Sequence, residues 1–143
     1  MREALLAVAL VLPLLALPVH ADDPASMVRI TEVLPNPDPA LGQREFIELH
    51  NAGTAPVDLQ GWKVRDAPTA SNNTNEYTFG SLTLGPGQRV VLWSNGTSDA
   101  VGPSWSSSPS KAVWNDAGDA ATLVDASGAT RDWLGYGSTT QAA

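Results

Sequence analysis

Polar and apolar positions alternate in short runs along most of the chain, and turn-forming residues separate the runs. In Glu45–Asn51 (EFIELHN), Ile47 and Leu49 fall on one side and Glu48 and His50 on the other, the period-two signature of a half-buried strand. Asn51-Ala52-Gly53 ends that run, because Asn and Gly both tolerate positive φ. Pro56 to Leu59 carry the chain across, and Gly61-Trp62 opens a second strand that runs to Asp66. Further strands are predicted over Met27–Leu34, Glu76–Phe79, Arg89–Ser94, Ala120–Asp125 and Thr130–Tyr136, with brief extended pieces at Leu82–Leu84 and Lys111–Trp114. In the first of these, alternation puts Val28, Ile30 and Glu32 on one face, so Glu32 sits on an otherwise apolar side or near the strand's end. Three alternating prolines (Pro35, Pro37, Pro39), the 67–75 segment, Gly85-Pro86-Gly87, the Ser-rich Asn95–Pro109 stretch, Asn115–Asp119 and Ala126–Gly128 read as turns or loops. No stretch after residue 21 sustains a 3.6-residue apolar period. Seven to eight short strands at near-regular spacing describe an all-β sandwich, with Ile47, Leu49, Leu59, Trp62 and Trp93 as its expected core.

The first 21 residues follow a different pattern. Arg2 precedes an apolar run from Ala4 to Val19, broken by Pro13 and Pro18, and Val19-His20-Ala21 is a small-residue cleavage pattern. That is the signature of a secretory signal peptide, removed after Ala21. A spanning helix wants about 20 uninterrupted apolar residues, so a retained anchor is the weaker reading. The expected organisation is a leader at 1–21 and one domain at 22–143, exported to the cell envelope or beyond, with no transmembrane anchor after cleavage.

The leader's one basic residue and one acid (Arg2 and Glu3) cancel, so the net charge of −7 belongs to the domain. An acidic surface repels phosphate backbones, which argues against a nucleic-acid partner. With no cysteine, neither disulfides nor thiolate chemistry enter, and the core alone must stabilise the fold.

Candidate chemistry is sparse. His50 is the domain's one histidine and shares a strand face with Glu48, but neither a G-x-S-x-G elbow nor H-E-x-x-H is present. Glu45 and Glu48, three apart on a strand, face opposite sides and make a poor glycosidase pair. Asp116, Asp119 and Asp125 cluster around one turn and are candidate calcium ligands, although they do not follow the EF-hand spacing and suit tight turns equally well. Trp105 and Trp114, in or beside the Ser-rich stretch, are candidates for stacking on a sugar ring or anchoring a protein partner; covering the open end of the sandwich is the plainer role. Asn72-Asn73-Thr74 and Asn95-Gly96-Thr97 are glycosylation triplets in expected loops.

Several of these pieces, taken in order, resemble the lamin-tail domain, an immunoglobulin-like β-sandwich. They are Ile30-Thr31-Glu32-Val33 with Pro35-Asn36-Pro37, Glu45-Phe46-Ile47-Glu48-Leu49 with Asn51, and Asp58-Leu59-Gln60-Gly61-Trp62. Leu84-Gly85-Pro86-Gly87-Gln88, Trp114-Asn115 with Gly118-Asp119, Leu123, Asp125 and Gly128 complete the set. The resemblance covers nearly all of 22–143. It implies an interaction or structural module rather than an enzyme, binding a protein or envelope component without a cofactor. Prokaryotic-type members look like secreted or envelope proteins, often beside hydrolase or nuclease domains. Nothing here matches the rod that precedes the domain in nuclear lamins. A carbohydrate- or calcium-dependent binding module is the second expectation, and a secreted hydrolase the third.

Overall fold

The computed structural model describes residues 23–38, 40, 44–67, 75–94, 102–105 and 112–137. The candidate leader and the triplets at Asn72 and Asn95 lie outside these residues. The chain forms nine strands: β1 (Val28–Leu34), β2 (Phe46–Asn51), β3 (Val57–Asp58), β4 (Lys63–Arg65), β5 (Glu76–Thr78), β6 (Thr83–Leu84), β7 (Arg89–Trp93), β8 (Gly118–Val124) and β9 (Thr130–Gly137). One sheet has the order β1-β2-β7, the facing sheet the order β5-β4-β8-β9, and β3 pairs with β6 as a short ribbon. All pairings between named strands are antiparallel. The architecture is the expected immunoglobulin-like β-sandwich.

The two strands of the Glu45–Asp66 segment do not pair with each other. β2 is the middle strand of the first sheet and β4 is an inner strand of the second. The intervening turn therefore carries the chain from one layer to the other. Asp58 Oδ1 accepts from the Gln60 N–H (2.9 Å), and Gly61 adopts φ +78°. Trp62 is then delivered between the sheets at 4 % exposure, beside the fully buried Leu59, Ile47 and Leu49.

The misplaced carboxylate of the first strand has a structural answer. The β1–β2 register slips between Ile30 and Glu32, a β-bulge at Thr31. Val28 and Ile30 point inward before the bulge; after it Glu32 is exposed and Val33, paired with Ile47, packs on the core. Gly53 also differs from expectation. Its backbone is not left-handed; instead a Cβ there would approach the Met27 Cβ to 2.9 Å, so close packing selects glycine. A 3-10 turn at Pro24–Met27, capped by Asp23, precedes β1.

Trp93 does not join the core. Leu92 pairs with Ile47 on the inward face, which places Trp93 opposite Phe46 on the outer face. Their rings meet edge-on at 5.5 Å, and Trp93 is half-buried. Trp133 pairs with Thr122, one position off the inward-facing Leu123 and Ala121, and is half-buried as well.

Candidate functional site

The two ends of the sandwich are built differently. At one end the connections are tight turns, none longer than five residues: 52–56, 59–62, 79–82, 85–88 and 125–129. The strand ends joined by the longer connections, 35–45, 66–75 and 94–117, lie at the other end. Strand alternation and antiparallel pairing impose this polarity, since every long connection leaves or enters strands at the Leu34–Phe46–Trp93 and Arg65–Gly118–Gly137 side.

Three buried carboxylates hold the bases of these connections. Glu45, 7 % exposed, accepts the backbone N–H groups of Val113 (2.8 Å) and Trp114 (3.3 Å) on Oε2. Asp66, 3 % exposed, accepts the Asn75 backbone N–H (2.5 Å) and its Nδ2 (2.6 Å). Asp119, 1 % exposed, accepts from Ala67 N (3.0 Å) and, through Oδ2, from Asn115 N (3.1 Å) and Nδ2 (2.9 Å). Tyr136 closes the group by donating its hydroxyl to Asn115 O (2.9 Å). Burial raises the affinity of Glu45 and Asp66 for a proton above the ordinary carboxylate value, and their backbone and side-chain donors only partly oppose it. Burial, reinforced by the neighbouring carboxylates, also raises the Tyr136 hydroxyl.

The candidate calcium ligands are not brought together. Asp119 and Asp125 stand at opposite ends of β8, separated by roughly 20 Å at about 3.3 Å per residue. Asp116 is exposed. Asp125 instead organises the 125–129 turn: Oδ1 accepts from Ser127 N, Ser127 Oγ and Ala129 N at 2.6–2.9 Å, and Oδ2 pairs with Arg131. The Ser127 hydroxyl first, then the Ala129 N–H and Arg131, hold its carboxyl well below the usual range. Among the described residues no three His, Asp or Glu side chains converge as a metal site would require.

Trp114 is not a stacking platform either. It is 2 % exposed and belongs to the core, because it lies between the sheets rather than on the loop surface. Its ring meets Trp105 edge-on at 5.7 Å; Trp105 leans on Tyr77 (6.1 Å), and Tyr77 meets Phe79 edge-on at 5.0 Å. This chain of rings fills the side of the sandwich between β5 and β7. Residues 103–105 run beside β7, with Trp93 N donating to Pro103 O (3.1 Å) and Trp105 N to Trp93 O (2.7 Å). A depression of about 370 Å³ next to it, walled by Tyr77, Phe79, Leu82 and Pro103, presents no carboxylate, imidazole or amine.

His50 stands on the outer face of β2, in register with Arg29 of β1 and Arg89 of β7. Glu48 accepts the Thr31 hydroxyl (2.7 Å) and pairs with Arg89, and these contacts keep it ionised below the ordinary range. Glu45 lies on the inward side of the same strand, so the two glutamates do not face each other. Buried Asp66 is the carboxylate of this end that motif reading passed over, and the anchoring of Val113 and Trp114 by Glu45 was not foreseen. For Glu45 a signal was present: it is in phase with inward Ile47 and Leu49.

A family profile described as Lamin Tail Domain matches residues 21–138. The chain belongs to the Lamin Tail Domain family, whose immunoglobulin-like module accounts for the whole described fold. No curated protein matches the chain.

Proposed function

We propose that the chain is an exported, non-catalytic docking module that contacts a protein or cell-envelope partner through the end of the sandwich carrying its long connections. The polarity of the fold supports this reading: the strand ends that bound connections 35–45, 66–75 and 94–117 share one end of the sandwich, and buried carboxylates fix the described residues at their bases. Loops positioned by a rigid scaffold are where sandwich domains place recognition. The sheet edges offer less. Along β1 the Ile30 N–H is taken by Asp132 of β9 (2.7 Å), and along β7 the 103–105 segment is already paired. Export rests on the leader pattern of residues 1–21.

The test is retention of purified 22–143 on the producing cell's envelope fraction, with calcium and with chelator, comparing two exposed charge changes. Asp116→Arg alters the long-connection end and Gln60→Arg the tight-turn end. Loss of retention in the first variant alone, in both buffers, is the expected result. Loss in the second alone, or equal loss in both, refutes the assignment of the surface.

A further inference from the structure

The two sheets end in four outer strands, and β5 (Glu76–Thr78) differs from the other three. β1 and β9 run side by side, joined by Ile30 N–Asp132 (2.7 Å), and residues 103–105 run along β7. On β5 the ladder to β4 uses every second residue. Asp66 N donates to Asn75 O (3.2 Å) and Phe79 N to Trp62 O (2.8 Å), so the main chain at 75 and 79 faces β4. Tyr77, opposite Val64, is in the same phase. The N–H and C=O groups of Glu76 and Thr78 therefore point away from β4, and both residues are exposed. Among the described residues no strand pairs with that side.

This edge borders the depression of about 370 Å³. Tyr77 and Phe79, the inward residues of β5 and of its continuation, wall one side; Leu82 and Pro103 wall the rest. On the outward face, Lys63 Nζ (2.8 Å) and Arg65 Nε (2.6 Å) both bind the Glu76 carboxylate. Two cations against one anion leave a positive surplus beside the edge, in a chain of net charge −7.

We infer that β5 accepts an extended peptide segment of a partner as an added strand, with apolar side chains directed into the depression and an acidic side chain on the outward face. Donors and acceptors alternating at ladder spacing are matched by another extended backbone. A residue opposite Tyr77 points inward, where the walls are aromatic and aliphatic. A residue opposite Thr78 points outward, in the row that continues to Lys63, so a carboxylate there is attracted. A second copy of the chain fits worse. Pairing β5 with β5 joins only three residues a side, against repulsion between two chains of charge −7 each. This surface is separate from the long-connection end and does not rest on its assignment.

The test follows amide hydrogen exchange and NMR shifts of 22–143, free and with two short end-capped synthetic peptides. One alternates aspartate with valine, the other lysine with valine. In the free protein the Tyr77 and Phe79 amides should be protected while those of Glu76 and Thr78 exchange freely. Protection of all four, or Glu76 and Thr78 shifts that grow with protein concentration, overturns the proposal: the edge is then already covered, or pairs with a second copy. The aspartate peptide should protect Glu76 and Thr78 and shift Tyr77, Phe79 and Leu82, and the lysine peptide should bind more weakly. Equal binding of the two peptides, binding that leaves Glu76 and Thr78 unprotected, or no shift with the aspartate peptide at about 5 mM overturns it. Thr78→Pro removes an outward N–H and leaves the β4 side intact, a change that edge strands tolerate. It should weaken aspartate-peptide binding by about tenfold or more, whereas Thr78→Val, which keeps the N–H, should bind like the parent. If Thr78→Pro does not fold, Leu82→Asn, which makes the depression polar, carries the same expected loss. Parental binding by either folded variant overturns the proposal.

Discussion

Asn51 offers the sharpest test of how the tight-turn end is held. Its side chain is completely buried. Nδ2 donates to Ala55 O (2.8 Å) and Leu84 O (2.9 Å), and Oδ1 accepts the Gly53 N–H (2.9 Å). One amide thus joins the end of β2, the turn after it and the β3–β6 ribbon. Asn51→Asp changes almost no volume but replaces the amide donor with an acceptor facing two carbonyls. Each buried polar group deprived of its partner costs roughly 1–3 kcal/mol, so two orphaned carbonyls and the added charge should cost about 3–5 kcal/mol at neutral pH. That is a large share of a typical total of about 5–15 kcal/mol. At roughly 4 °C per kcal/mol, the melting temperature should fall by about 12–20 °C. The new carboxyl, buried against carbonyls, has a raised proton affinity, so part of the loss should return as pH falls and the acid donates one bond. Asn51→Ala loses the same bonds without adding charge, and its deficit should be less dependent on pH. Thermal and urea unfolding followed by circular dichroism read both variants. An Asn51→Asp protein melting within about 3 °C of the parent at neutral pH would refute the argument that these bonds, rather than packing alone, hold this end.

Trp62→Ala should cost about 3–5 kcal/mol in urea unfolding, the range for truncating a buried aromatic, and a near-parental midpoint would show that the ring is dispensable to the core. Asp125→Asn weakens the Arg131 pair and the 125–129 turn. Because the Asp125 carboxyl is held below its ordinary value of 3.8, its contribution is present above that pH and fades as pH falls; the variant should melt lower than the parent at neutral pH with a shallower acid limb, and an unchanged acid limb counts against the assignment. Asp132→Ala frees the Ile30 N–H on the edge of β1. Light scattering should then show more self-association than in the parent, and equal scattering would mean that the edge is protected by something else.

Most of the strands were legible because alternation and turn chemistry agree in them. Glu45–Asn51 reads correctly residue by residue, down to the outward placement of Glu48 and His50. The failures have local causes. In Arg89–Trp93 the four positions after Arg89 are all apolar, so nothing in the run reveals its phase, and Trp93 is misassigned to the core. Glu32 looks anomalous until a bulge resets the phase, and the conflict was itself the signal for the bulge. The two strands flanking Asp58–Gly61 are adjacent in sequence but lie in different sheets, and no short-range pattern distinguishes that crossing from a hairpin. At the candidate site the gap is wider. Asp119 and Asp125 resemble metal ligands because turn-forming and cation-binding aspartates share composition; only their separation along β8 tells them apart. Trp114 is buried by contacts with Trp105 and the facing strands, pairings that sequence spacing does not encode.

β1 and β9 run in the same direction along one side of the sandwich, each beginning at the tight-turn end and finishing at the long-connection end. Ile30 N–Asp132 and the Asp23–Arg131 ion pair connect them instead of a ladder of backbone bonds. A pull applied between the start of β1 and the end of β9 would load both strands along their length. The first sheet would resist through the β1–β2 ladder, the second through the β8–β9 ladder. These are bonds stressed in shear, many at once, rather than peeled one at a time. Under tension the domain is therefore arranged to behave as a rivet between whatever is joined to its two ends.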